Sequence, residues 1–149
     1  MRELVFALEF KGTAVPVPDT SGRLRAKTFA ADETLRTTLK ADGLQATIEP
    51  HGPAAATFES EVEIMADGQF VESGSIAYGK AGKVTFQTIG RGVIGASPTP
   101  DVQRGAVIWE VTGGEGWFRG AQGIITSNFT VNATGAVVDD QFARLYLPS

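Results

Sequence analysis

The residues of this chain that could do chemistry are polar side chains on strand faces that are otherwise apolar. In a strand formed by the segment 69–79, QFVESGSIAYG, the polar residues Glu72 and Tyr78 share one face with the apolar residues Phe70 and Ile76. If this face is buried, desolvation raises the pKa of Glu72 and suits the carboxyl group to acid or base catalysis. Glu72 and Tyr78 are therefore catalytic candidates, and Phe70 is a candidate ligand contact. The opposite orientation of the strand would leave Glu72 in solvent.

The last apolar segment, 141–147, raises the same question. Arg144 shares one strand face with Phe142 and Tyr146, while Leu145 and Leu147 share the other. An inward Arg144 would be a third catalytic candidate, because a guanidinium pairs readily with a carboxylate or an enolate. Phe142 and Tyr146 would then contact the ligand. In the alternative orientation, Arg144 is a surface cation stacked on Tyr146.

Two further residues are candidate ligand contacts. Asn128 shares a face with Ile124 and Thr126, and an inward Asn128 could donate hydrogen bonds to a ligand or only satisfy the backbone. Trp109 lies on a face with Val107. Lining of a cavity and plain core packing are both compatible with that position.

Composition restricts the classes of function. The 149 residues suit a single domain, 1–149, and the absence of cysteine excludes thiolate chemistry and disulfides. The one histidine, His51, makes a histidine-based zinc site improbable, and its Pro/Gly-rich context predicts an exposed turn. A net charge of −4 with scattered basic residues argues against nucleic-acid binding. No segment resembles a membrane span or a signal peptide, so we expect a soluble, cytoplasmic protein.

The elements that must position these residues are predicted to be β-strands. The 18 glycines and the alternation of apolar and polar residues favour an all-β protein with tight turns. Residues 4–10 alternate clearly. In residues 56–65, Phe58, Val62 and Ile64 share a face with Ser60, and the glutamates on the other face are expected in solvent.

Turn signals divide the chain into hairpins. The pairs Asp42-Gly43 and Asp67-Gly68 each separate two alternating segments. Asp-Gly is favoured in type I′ hairpin turns, because both central residues of such a turn have positive φ angles. Residues 132–135, NATG, predict another turn. Residues 30–40 are ambiguous between helix and strand, and the prolines of 92–102 argue against a regular element. Sequential hairpins of this kind predict a meander closed into a barrel.

The glycine-rich segment 111–123, VTGGEGWFRGAQG, does not have the spacing of a dinucleotide-binding loop, and it precedes a β-branched rather than a helical segment. We therefore expect a tight turn between two strands, with Phe118 closing the end of the barrel.

This segment also carries a family resemblance. The pattern V-T-G-G-x-G-x-F-x-G-x-x-G, preceded by Ile108-Trp109-Glu110, resembles the C-terminal signature of allene oxide cyclases. Dirigent proteins and small bacterial cyclases, including spirotetronate-type Diels–Alderases, are similar to these calycin-type barrels in fold. The match covers about residues 105–125, and the closing segment 141–148 is compatible with it.

The resemblance implies an eight-stranded antiparallel up-and-down barrel with a central cavity, assembled as a homodimer or homotrimer. It also implies a protein without metal or organic cofactor that steers a hydrophobic, lipid- or polyketide-like molecule through cyclisation or isomerisation. None of the family's catalytic residues can be aligned with this chain. A noncatalytic, lipocalin-like carrier and a purely structural barrel are the alternatives.

Overall fold

The computed structural model describes all 149 residues, and nearly every element is a β-strand. The strands are β1 (Arg2–Pro16), β2 (Arg23–Lys40), β3 (Gly43–Ile64), β4 (Gln69–Tyr78), β5 (Gly82–Thr88), β6 (Gly92–Ala96), β7 (Val102–Gly116), β8 (Gln122–Asn132) and β9 (Ala136–Leu147). A single 3-10 turn, Ala66–Gly68, separates β3 from β4. No helix has the length and hydropathy required to cross a membrane.

The strands form one antiparallel sheet that closes on itself. Around the ring the order is β1-β2-β3-β4-β5-β7-β8-β9, and β9 pairs again with β1. The short β6 occupies the same place as β5, since it also pairs with β4 and β7. The predicted eight-stranded up-and-down barrel is thus confirmed.

The alternation within each strand decides which residues enter the lumen. Leu4, Phe6, Leu8 and Phe10 of β1 belong to the core or pack against it, as their spacing predicts. One end of the lumen is filled by aromatic rings, because Tyr78 packs edge-on against Phe6 and at 5.1 Å from Phe118. Phe118 is buried in the turn between β7 and β8, so its predicted position at the barrel end is confirmed.

The outer wall of β2 and β3 is a row of opposite charges. Ion pairs join Arg23 to Glu63, Arg25 to Glu61, and Lys27 to Glu59, all between directly opposite residues. These glutamates are exposed, which confirms the prediction that they lie in solvent. Exposed pairs of this type contribute little stability, but they make this wall strongly polar.

The turn between β3 and β4 has the backbone that its sequence predicts. Both Asp67 and Gly68 have positive φ angles, of 61° and 69°. A Cβ atom on Gly68 would lie 2.5 Å from the carbonyl oxygen of Ile94, so glycine is required here for space as well as for conformation. The turn predicted at 132–135 is also present, between β8 and β9.

The structure decides one open alternative and corrects two expectations about the connections. Residues 30–40 are strand throughout, because they pair with residues 43–56 of β3. Residues 92–96 form β6, and only 97–101 are irregular, since the prolines begin after the strand ends. His51 is exposed, as expected, but it lies within β3 rather than in a turn, and its Nε2 is 2.6 Å from Thr34 Oγ1. A register shift between Ala30 and Glu33 accommodates the Pro/Gly-rich stretch.

Candidate functional site

A cavity of about 80 Å³ lies within the lumen, toward the end that carries the β1–β2, β3–β4 and β8–β9 connections. Its lining has 16 residues, of which 12 are hydrophobic. Pockets for drug-sized ligands have volumes of roughly 300–1,000 Å³. This cavity therefore accommodates a small molecule or one end of a larger one.

Glu72 is the acidic residue on the β4 side of the cavity. It follows Phe70 on the inward face, directly opposite Val62 of β3. Ser60 Oγ donates a hydrogen bond of 2.5 Å to Glu72 Oε2. Burial of the carboxyl group raises its pKa from 4.5 to about 8, and the charge of Asp139 adds to this shift, while the hydrogen bond from Ser60 opposes it.

Asp139 approaches the same cavity from β9. Both of its carboxylate oxygens accept hydrogen bonds, one from Ser127 Oγ at 2.6 Å and the other from Gln141 Nε2 at 2.8 Å. Burial raises the pKa of Asp139 from 3.8 to about 6, although both hydrogen bonds lower it. Burial thus favours the protonated form of both groups, and it favours protonation of Glu72 more strongly than that of Asp139.

This difference defines what the pair can do chemically. Two carboxyl groups whose environments separate their pKa values can act as an acid and a base in the same site. Glu72 can donate a proton at neutral pH, and Asp139 can accept one or stabilise positive charge. The hydrophobic wall keeps the dielectric low, which strengthens both effects.

Two buried polar atoms at this site have no hydrogen-bond partner within the protein. They are the indole Nε1 of Trp109 and the hydroxyl Oγ1 of Thr28, in side chains that are each about 1% exposed. Both residues line the cavity. The indole N–H lies close enough to Glu72 to lower the pKa of that carboxyl group slightly, without hydrogen-bond geometry. A buried donor without a partner costs roughly 1–3 kcal/mol, and such groups often mark functional sites.

Aromatic packing fixes the orientation of Trp109. Its ring lies 4.5 Å from Phe86 and 5.3 Å from Phe58, measured between ring centroids. These contacts hold the indole beneath the cavity, so its N–H direction is set before any ligand enters.

Of the residues that the sequence singled out, Glu72, Phe70 and Trp109 line the cavity. The orientation predicted for Glu72 as a catalytic candidate is therefore correct, although its role remains a prediction. Tyr78 also faces inward, but it is six residues from Glu72 on β4, or roughly 20 Å along the strand. It packs among aromatic rings at the closed end, where burial raises its pKa further above the usual value, and it does not line the cavity.

The inward orientation predicted for Arg144, Phe142, Tyr146 and Asn128 is wrong. Phe142 is 48% exposed, and the guanidinium of Arg144 pairs with Glu3 at 3.1 Å on the outer wall. Tyr146 and Asn128 face outward as well. The reason is the competing face of β9, where Ala143, Leu145 and Leu147 fill the core and turn the alternate residues outward.

Sequence reasoning missed Asp139, Ser127, Ser60 and Thr28 as polar residues of the site. A signal for Asp139 was present. Asp139 and Asp140 are adjacent in a strand, so one must face inward, and counting back in steps of two from Leu147 selects Asp139. Asp140 faces outward beside Glu9 and Glu33; partial burial and these two carboxylates raise its pKa to about 7.

The raised pKa of Glu72 predicts how stability depends on pH. The folded state retains the Glu72 proton up to about pH 8, whereas the unfolded chain loses it near pH 4.5. The unfolded state therefore binds fewer protons between these values, and stability falls as the pH rises from about 4.5 to about 8. Each unit of pKa shift corresponds to about 1.4 kcal/mol.

We expect Glu72→Gln to remove this part of the pH dependence. Glutamine imitates the protonated side chain, so the variant should match the wild type below about pH 4 and be more stable than it at pH 9. Urea denaturation followed by far-ultraviolet circular dichroism at a series of pH values measures the difference. Parallel stability curves for the two proteins would show that Glu72 ionises normally.

Comparison with known proteins shows which solved structures have a similar fold. No family model matches the sequence, and no curated protein sequence matches it. Among solved structures, that of a dirigent protein, a pterocarpan synthase, is similar with a TM-score of 0.61. The alignment covers 99% of this chain and 92% of that protein at 12% identity. The chain thus has a dirigent-like β-barrel fold.

Proposed function

We propose that this protein is a cofactor-independent isomerase or cyclase that acts on a hydrophobic small molecule inside the barrel. The observation that carries the proposal is the placement of two carboxyl groups, Glu72 and Asp139, at the wall of one hydrophobic cavity, where burial raises the pKa of each. Burying two carboxyl groups is costly, and such pairs are typical of acid–base sites.

The proposed mechanism uses only groups of this chain. The hydrophobic wall binds the substrate and orders its reactive conformation, and such ordering supplies up to roughly 7–11 kcal/mol of the barrier in favourable cases. Trp109 Nε1–H and Thr28 Oγ–H donate to an oxygen of the substrate as negative charge develops there. Protonated Glu72 delivers a proton to the substrate, and Asp139 accepts one from it. Asp139 then releases its proton and Glu72 takes one up, which restores both groups, so the net reaction is an isomerisation.

The fold supports this proposal by analogy alone. The similar solved structure is that of a synthase of the dirigent type, a protein with the same barrel. Unrelated functions often share a fold, so the carboxyl pair rather than the barrel is the main argument for catalysis.

A noncatalytic carrier of hydrophobic molecules is the second candidate. The predominance of hydrophobic residues in the cavity lining favours it, because a carrier requires shape and burial but no proton transfer. The two candidates differ in what happens to a bound molecule: a carrier returns it unchanged.

Native mass spectrometry of protein purified from its own source identifies a retained ligand, which is then incubated with the protein in D₂O. We expect conversion to an isomer with deuterium incorporation, and at least a hundredfold loss of rate in Glu72→Gln and Asp139→Asn, since a general acid or base contributes roughly 10²–10⁴-fold. Asp140→Asn is the matched control, because Asp140 adjoins Asp139 but faces outward. Binding without conversion by the wild type would establish the carrier.

The two unpartnered donors predict a preference for molecules that carry an acceptor oxygen. Cyclohexanone and methylenecyclohexane have nearly the same shape, but only the ketone accepts a hydrogen bond. We expect cyclohexanone to shift the indole N–H resonance of Trp109 downfield in a proton–nitrogen NMR spectrum, and methylenecyclohexane to leave it in place. The Trp117→Phe variant assigns the resonance, because the chain has two tryptophans.

Thr28→Val should weaken the binding of cyclohexanone by roughly tenfold and leave that of methylenecyclohexane unchanged, since one hydrogen bond contributes about 1 kcal/mol or more. Equal responses to the two probes in the wild type would contradict the assignment of Trp109 and Thr28 as ligand donors.

A further inference from the structure

The hairpin of β2 and β3 extends well beyond the ring of the barrel. β1 pairs with β2 only as far as Phe29, and β4 pairs with β3 only from Ala56 onward. Residues 31–55 therefore form backbone ladders only with each other. We call this segment the arm.

The two faces of the arm differ in character. The strand register places Leu35 opposite Ile48, Thr37 opposite Ala46, and Leu39 opposite Leu44 on one face. The other face pairs Thr34 with Glu49, Arg36 with Thr47, and Thr38 with Gln45. We call the first face the apolar face of the arm. Leu39 and Leu44 at its tip are 79% and 64% exposed.

A two-stranded hairpin with an uncovered apolar face is marginally stable in water. Four large aliphatic side chains share this face, and all four are exposed in the isolated chain: Leu35, Leu39, Leu44 and Ile48. The alternation is regular over residues 34–39 and 44–49, as it is in a strand that packs against another layer. The arm therefore has the pattern of an element that is covered in the assembled protein.

A matching surface lies on the outer wall of the barrel. A row across β1, β9, β8 and β7 consists of Ala7, Phe142, Thr126 and Ile108, which are directly opposite one another in the register. Val5, Ile124 and Tyr146 adjoin the row, and each is exposed. We call this surface the apolar wall. It differs sharply from the charged outer wall of β2 and β3.

We propose that the apolar face of the arm packs on the apolar wall of a second copy of this chain. The dimensions agree: three residue pairs of the arm span roughly 13 Å, and four adjacent strands span roughly 15 Å between outer axes. Arg144 is the cation among these wall residues, and it is already paired with Glu3, so covering this surface does not leave the charge of Arg144 isolated.

The small area of the apolar face of the arm favours reciprocal contacts between copies of the chain. A stable interface buries about 800 Å² on each partner, more than the face of one narrow hairpin provides. In a closed assembly each copy gives one arm and receives one, which doubles the contact that each copy makes. The proposed partner is therefore another copy of the same chain rather than an unrelated protein.

The absence of cysteine allows a direct test by disulfide trapping. Leu39→Cys and Phe142→Cys variants are prepared separately, mixed, and oxidised. We expect the principal product to join position 39 of one copy to position 142 of the other. Lys40→Cys, on the opposite face of the same arm tip, is the matched control and should crosslink with Phe142→Cys at least tenfold less. Products that join 39 to 39 or 142 to 142 as the main species would overturn the proposal.

A second measurement avoids any dependence on oxidation. Light scattering after size exclusion should give the wild type a mass of two or more times the 15.7 kDa of one chain. We expect the double variant Leu39→Glu, Leu44→Glu to raise the dissociation constant of the assembly by about thirtyfold or more, as loss of a hot-spot contact does. Circular dichroism should show an unchanged β spectrum, since these residues lie outside the ring. A monomeric wild type, or a variant that assembles as well as the wild type, would refute the proposal.

Discussion

Closure of the ring is the constraint on which the rest of this structure depends. Because β3 pairs with β4, and β9 pairs with β1, every strand of the ring has a neighbour on both sides. A slip of one residue in any pair would turn a whole strand face from the lumen to solvent. The side of the barrel on which each residue lies is thus decided collectively. This explains why Phe58 and Ser60 face inward together while Glu59 and Glu61 form ion pairs outside.

The same constraint brings carboxyl groups into the lumen. Glu72 lies between Phe70 and Ile76 on a face that the ring commits to the interior, and there its carboxyl group is desolvated. Protonation reduces the cost of burying Glu72, and hydrogen bonds from Ser127 and Gln141 reduce the cost for Asp139. Fold and proposed chemistry are therefore linked: the packing that stabilises the barrel also sets the pKa values of its acidic groups.

Much of the fold was predictable because period-two alternation and turn chemistry are local signals. The strand at 56–65, the turns at Asp67-Gly68 and 132–135, and the position of Phe118 followed from them. Strand 141–147 shows where local signals end. It carries bulky apolar residues on both faces, and the choice between Phe142 and Leu145 as the inward residue depended on packing against β1 and β8. Arg144 was assigned to the lumen for that reason.

The extent of the arm was likewise beyond the sequence, because its alternation has the same period as that of a barrel strand. Only the pairing partners distinguish a strand of the ring from a hairpin that continues past it. The unpartnered polar atoms of Thr28 and Trp109 were inaccessible to sequence reasoning for a related reason, since an unpartnered polar atom is a property of three-dimensional surroundings. The sequence indicates well which residues share a face of a strand. It indicates poorly whether that face points into the lumen and which residues of other strands lie beside it.

The central claim of this account is that the barrel holds a neutral carboxylic acid in its lumen at physiological pH. Carbon-13 NMR of the Glu72 side-chain carboxyl, assigned by comparison with Glu72→Gln, follows its ionisation directly across pH 3 to 10. The account predicts a midpoint near 8, with Asp139 titrating near 6. A midpoint close to 4.5 for Glu72 would show an ordinary solvated carboxylate and would contradict both the proposed acid and the desolvation that creates it.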